Sequence, residues 1–169
     1  MKIELATRND VPELLELQFK AFAPVAQKLQ FAGIPQMTAT IDDAYAHFDS
    51  HTTLKMVSDD GRIVGSVSGK MDDGSLYIGR LMVSPDCQRQ GIGRKLLHQL
   101  ESMFPSTREW LCSYRDDDVT CSFYSSEGFR KYDDYLVCEG LWAIHMEKIL
   151  CQHFGYELRK KVEKRISKL

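Results

Sequence analysis

The segment Gln88-Arg89-Gln90-Gly91-Ile92-Gly93-Arg94-Lys95 puts two glycines between an apolar, strand-like run (76–83) and a helix-like run (96–104). Ser84-Pro85-Asp86 ends the first run, because proline lacks a ladder donor and fixes its own φ. Gly91 and Gly93 remove side chains where the chain turns and where a ligand can approach the backbone. A helix starting here presents unpaired N–H groups, with Arg89, Arg94 and Lys95 beside them. Free amides at a helix start, the dipole behind them and nearby cations form a phosphate site. On this reading the loop holds the pyrophosphate of a nucleotide-like cofactor. The same two glycines also suit a plain tight connection. Other phosphate loops fit less well. No Gly-Lys pair is followed by Ser or Thr, and Leu96 stands where a dinucleotide fingerprint has its third glycine. Glu109 lies at the start of the next strand-like run, where that fingerprint has its acid at the end.

Taken in order, Leu81-Met82-Val83-Ser84-Pro85, then Gln88-Arg89-Gln90-Gly91-Ile92-Gly93, then Leu96-Leu97, resemble the acetyl-CoA signature of the GNAT superfamily of N-acetyltransferases. That signature is Gln/Arg-x-x-Gly-x-Gly/Ala after a strand ending in Val-x-Pro. Downstream, Phe123-Tyr124-Ser125-Ser126-Glu127-Gly128-Phe129 is similar to the family's Phe-Tyr-x-x-x-Gly-Phe. The resemblance implies direct transfer of an acetyl group from acetyl-CoA to a primary amine, with no acyl-enzyme and no metal. It implies cofactor contacts at Leu81, Met82, Val83, Gln88, Arg89, Gln90, Gly91, Ile92, Gly93, Arg94, Lys95 and Asp117. It makes Tyr124 the general acid toward the CoA thiolate, and places an oxyanion donor on a backbone N–H near Met82 or Val83. A phenol with a pKa near ~10 is protonated at neutral pH and can supply that proton. Packed tyrosine in a helix is the competing role for Tyr124. The chain departs from the family twice. Asp117 stands where many members carry Asn, and residues 76–83 hold no carboxylate to act as base. A water chain, Glu127, Asp133 or Asp134 remain open for that task. The acceptor is open as well, from a polyamine-like amine or amino acid to an antibiotic or a peptide amine. The alternative function is a non-catalytic acyl-CoA-binding regulatory module.

The rest of the pattern predicts one α/β (α+β) domain over residues 1–148. Its mixed, mostly antiparallel central sheet has about six to seven strands, flanked by about four helices. Residues 2–6 read as a first strand. Asp10 is placed to cap a helix, with Glu13 completing a capping box. Val11, Leu14, Leu15, Phe19 and Phe22 recur at helical spacing until Pro24 interrupts them. Residues 27–40 look irregular, and 41–48 form a shorter helix. Two strands follow, 52–58 and one from Ile63, joined at Asp59-Asp60-Gly61, and Asp72-Asp73-Gly74 leads into strand 76–83. Then come a helix over 94–104, a strand over 109–113, a helix over 119–127 ending at Gly128, and a last hairpin over 129–146.

Bulk properties narrow the class. With 169 residues, 43% hydrophobic and 27% charged, the chain resembles an ordinary soluble domain. It lacks an apolar run long enough for a membrane span and a leader pattern, and its five scattered cysteines contain no Cys-x-x-Cys. Those features predict a cytoplasmic protein with neither membrane nor metal. The core's acidic balance favours a cationic amine acceptor. Residues 149–169 form a basic amphipathic extension, with Leu158, Val162, Ile166 and Leu169 on one helical face. Six Lys or Arg against two Glu give it +4, which leaves −6 for the remainder of a chain whose net charge is −2. Such a helix lies on its own domain, or docks on another subunit, as in a homodimer, or on an acidic surface. Nucleic acid is not expected as a partner.

Overall fold

The computed structural model describes residues 1–150. From residue 151 on, the predicted basic extension lies outside the described residues. The elements in chain order are β1 (Lys2–Leu5), α1 (Val11–Lys28), α2 (Pro35–Thr38), α3 (Ile41–Ser50), β2 (Thr52–Val57), β3 (Ile63–Asp72), β4 (Ser75–Val83), α4 (Ile92–Met103), β5 (Arg108–Tyr114), α5 (Asp118–Ser126), β6 (Arg130–Cys138) and β7 (Leu141–Ile149). The strands form one seven-stranded sheet in the order β1-β2-β3-β4-β5-β7-β6. All neighbours are antiparallel except β4 and β5, which run parallel. This is the mixed, mostly antiparallel sheet that the sequence predicts. No helix among the described residues is long and apolar enough to cross a membrane.

Helices cover the sheet on both faces. On one face α4 buries Ile92, Leu96, Leu97 and Leu100 against Leu54, Val67, Leu76 and Ile78. On the other, α1 packs Leu14 and Leu17 against Ile63 and Met82. The α4 packing depends on missing side chains in β3. A Cβ on Gly65 would lie 2.9 Å from both Ile92 and Leu96, and one on Gly69 would lie 3.0 Å from Leu100. Ile92, Leu96 and Leu100 follow one another at helical i, i+4 spacing, so they form a ridge that seats in the groove these glycines leave. That seating fixes where α4 begins.

Besides α2, which forms within residues expected to be irregular, and Ile149, which ends β7 where the extension is expected to begin, three local expectations change. First, the capping box is formed one turn earlier, by Thr7 and Asp10, and opens a short 3-10 turn ahead of α1. Asp10 accepts from the Thr7 amide at 2.6 Å and from Lys55 at 2.8 Å, while Glu13 accepts from the Ile63 amide at 2.8 Å. Second, α1 continues through Pro24 to Lys28, and its buried positions are Val11, Leu14, Leu17, Gln18 and Ala26. Leu15, Phe19 and Phe22 are only half-buried, because the sheet lies under a stripe rotated from the one they define. Proline costs this helix one hydrogen bond, late in its length, and the packed face holds the remaining turns. Third, α4 starts at Ile92, two residues before the predicted start. Gly91 takes φ 75° at its N-cap, a conformation glycine adopts without steric cost.

A methyl group at Gly65 should therefore be felt. We expect Gly65→Ala to destabilise the protein by about 1–3 kcal/mol through overpacking. Chemical denaturation read by circular dichroism measures this, and an unchanged midpoint would remove Gly65 from its spacing role.

Candidate active site

β4 and β5 pair only at their beginnings, through Ser75 with Arg108, Leu76 with Glu109 and Tyr77 with Trp110. Beyond Tyr77, β4 stays with β3 and β5 stays with β7, so the two parallel strands splay apart. A bulge in β4 accompanies the splay. Ser66 faces Met82 and Ser68 faces Gly79, which leaves Arg80 and Leu81 opposite the single residue Val67. One extra residue exchanges the two faces of a strand. Leu76 and Ile78 point toward α4 before the bulge, whereas Leu81 and Val83 do so after it, and Met82 turns to α1.

The splay opens into a cleft of about 730 Å³ between α1, β4, β5 and α5. Its walls include Leu81, Met82, Val83, Gln88, Asp117 and Tyr124. The Ser84 N–H donates to the Val64 carbonyl at 2.9 Å. By ladder alternation Met82 also pairs toward β3, and Val83 turns its N–H and C=O into the gap. Gln88 donates to that Val83 carbonyl at 3.2 Å.

The start of α4 adjoins the same end of β4. A Cβ on Gly93 would stand 3.7 Å from Val83 and 3.8 Å from Phe123. The first helical bond runs from the Lys95 amide to the Gly91 carbonyl at 3.0 Å, and no side chain caps the helix. The amides of Ile92, Gly93 and Arg94 are thus free of intrahelical acceptors. Arg89, Gln90 and Lys95 are exposed around them, and Arg89 has a positive φ of 62°. Two predicted contacts are used differently by their side chains. The Ile92 side chain is buried beneath α4, so only its amide faces the turn. Arg94 donates to Glu127 at 2.6 Å, and His98 lies 2.8 Å from the same carboxylate.

Tyr124 combines core and cleft. Its ring packs edge-to-face on Phe123 and Phe129, with centroids 5.2 and 5.6 Å away, yet the residue also lines the cleft. Burial pushes the phenol above its ordinary value, so it stays protonated at neutral pH. Asp117 is buried at the start of α5, accepts from the Thr120 hydroxyl and lies 3.9 Å from the Lys28 ammonium. Among the described residues that line the cleft, Asp117 is the one carboxylate, and Lys28 and Arg80 are the cations. Glu127, Asp133 and Asp134 are not part of that lining. Glu127 is engaged by Arg94 and His98, and Asp134 pairs with Lys131 on exposed β6.

Sequence reasoning missed the wall built by Arg80, His47, Tyr77, Tyr114 and Gln36. Tyr114 donates to Gln36 at 2.5 Å, and burial pushes its phenol up to about 12. Ser68 gives its hydroxyl proton to the Gly79 carbonyl at 2.9 Å, so His47 must carry the proton on the Nε2 that meets Ser68 at 2.8 Å. Burial first, then the Arg80 and His51 charges, pull His47 down to about 3 and keep it neutral. One signal of this wall was legible: the apolar phase of β4 slips by one residue between Leu76/Ile78 and Leu81/Val83, with Gly79-Arg80 at the slip.

Known proteins are similar to this chain in sequence and fold. A model of the acetyltransferase (GNAT) domain matches residues 23–150. The chain is 28% identical over 130 residues to UPF0157 protein YqkA of Bacillus subtilis, covering 76% of this chain and 37% of that protein. It is 29% identical over 116 residues to S-(2-succino)cysteine N-acetyltransferase of the same organism, covering 59% and 63%. The chain thus spans less than two thirds of the length of either relative. The crystal structure of PaiA N-acetyltransferase from Thermoplasma acidophilum in complex with coenzyme A superposes with a TM-score of 0.71 at 19% identity, over 88% of this chain and 99% of that one, and shows the same fold. The family match runs from within α1 to the end of β7, across the splay and the uncapped helix, and the chain belongs to the GNAT acetyltransferase family.

Proposed function

We propose that the protein is an acetyl-CoA-dependent N-acetyltransferase that moves the acetyl group directly to a primary amine. One observation carries this reading: the β4–β5 splay opens beside the uncapped start of α4, with a protonated tyrosine on its wall. The amides of residues 92–94 and the nearby Arg89 and Lys95 would hold the diphosphate of coenzyme A. The Val83 N–H, free of β3, would donate to the thioester carbonyl oxygen as it gains charge. Tyr124 would give its proton to the departing sulfur. The amine would arrive neutral or lose its proton to water, since among the described residues that line the cleft the one carboxylate, Asp117, already accepts from Thr120 and lies 3.9 Å from Lys28. One curated relative is named for acetylating S-(2-succino)cysteine, which supports a small amine as acceptor.

A second reading, a non-catalytic acyl-CoA-binding regulatory module, draws support from the absence of any carboxylate on β4. Thiol release from acetyl-CoA with a panel of amines separates the two, and binding without turnover would favour the module.

Two substitutions test the parts. Gly93→Val, checked by circular dichroism for a retained fold, should abolish CoA binding in a calorimetric titration, because its side chain fills the space beside the free amides. Undiminished affinity would contradict the helix-start site. Tyr124→Phe should keep CoA affinity and lower kcat by roughly 100-fold or more, the usual weight of a general acid. Unchanged turnover would take Tyr124 out of that role. The pH profile adds a third check. An acid held above its ordinary value stays protonated to higher pH, so kcat should show no loss of the acid up to about pH 10. A fall beginning near pH 8 would assign the proton to another group.

A further inference from the structure

Among the described residues that line the cleft, one cation has no partner. Arg80 lines it half-buried, and among the described residues its guanidinium makes no hydrogen bond and no ion pair within 4.0 Å. Asp43 is near enough to be felt electrostatically, but its carboxylate is committed to the Thr40 amide and hydroxyl at 2.8 and 2.7 Å. Lys28, the other lining cation, stands 3.3 Å from Asp118. Arg80 also sits at φ 47°, the strained left-handed region for a side chain, at the bulge that redirects β4. Desolvation without a counter-charge and backbone strain therefore meet at one residue. Neither is needed for the fold, because glycine would serve the bulge better.

The direction of Arg80 separates it from the coenzyme diphosphate proposed above. It reaches the recess under α3 lined by Ala44, His47 and Phe48, on the sheet face opposite α4. His47 there is neutral and adds no competing charge. We propose that Arg80 is the carboxylate-binding residue of the acceptor site, and that the acceptor is a small primary amine carrying a carboxylate, such as an amino acid. This rests on the acetyltransferase reading and narrows its substrate class. The planar guanidinium fork matches a carboxylate with two parallel hydrogen bonds. The carboxylates near the cleft have cations of their own: Asp116 pairs with Arg115, Asp117 and Asp118 lie 3.9 and 3.3 Å from Lys28, and Asp134 pairs with Lys131.

The test uses the full chain saturated with CoA or acetyl-CoA. L-α-amino acids are compared with their own carboxamides, by calorimetric binding and by thiol release. We expect at least one acid to exceed its carboxamide by roughly 10- to 100-fold in affinity and in kcat/KM, the usual weight of a charge-assisted hydrogen bond. In Arg80→Gly, chosen because its backbone suits glycine, that ratio should fall to about one, mainly through KM, with acetyl-CoA affinity unchanged. Arg80→Lys should restore part of the preference. Equal use of acids and carboxamides, or a preference that survives Arg80→Gly, would overturn the proposal while leaving the acetyltransferase reading intact. Failure of the wild-type protein to bind acetyl-CoA would overturn both.

Discussion

Everything in the cleft follows from the short pairing of β4 with β5. Parallel strands held by only three residue pairs must separate once each follows its other neighbour. Separation leaves backbone groups of β4 without a ladder partner in the middle of a sheet. Buried unpaired amides are costly. Such a gap persists in a stable fold when its edges are held from outside and when water or a ligand satisfies what the ladder does not. Here β3 holds one edge and β7 the other.

The bulge at Arg80 and Leu81 and the glycines of β3 act together. The bulge reverses the facing of β4, which sends Leu81 and Val83 toward α4 and turns Met82 under α1. Gly65 and Gly69 let α4 settle close to β3. Close seating brings the uncapped start of α4 beside the end of β4, with Gly93 against Val83. Helix dipole, free amides and strand-end amide are then collected at one place, with Arg89 and Lys95 exposed beside it. The neighbouring basic residue Arg94 is turned aside by Glu127. Electrostatics separates two places: backbone dipoles at the α4 start, beside the β4 end of the cleft, and the Arg80 guanidinium beneath α3.

Much of the scaffold was legible because local periodicity and turn chemistry agreed with the final packing. The order of strands and helices, the α5 stop at Gly128 and the hairpin of β6 and β7 are of this kind. Errors fell where a long-range partner overrode a local preference. Leu15 and Phe19 fit a helical stripe as well as Leu17 and Gln18 do, and only the sheet beneath α1 decides between them. Glu13 is well spaced for a capping box, but the Ile63 amide, fifty residues away in sequence, takes it. Pro24 signals a helix end, yet the packed face of α1 carries the helix past it.

The order of apolar runs, the uncapped glycine turn into α4 and the Phe-Tyr segment of α5 were determined by the sequence alone, because each depends on neighbours along the chain. The splay of β4 from β5, the inward face of Val83, the diversion of Arg94 and the isolation of Arg80 were decided only by tertiary structure. These depend on which strands are adjacent and on which charges lack a partner. Both are properties of the assembled sheet, invisible to any local window of residues.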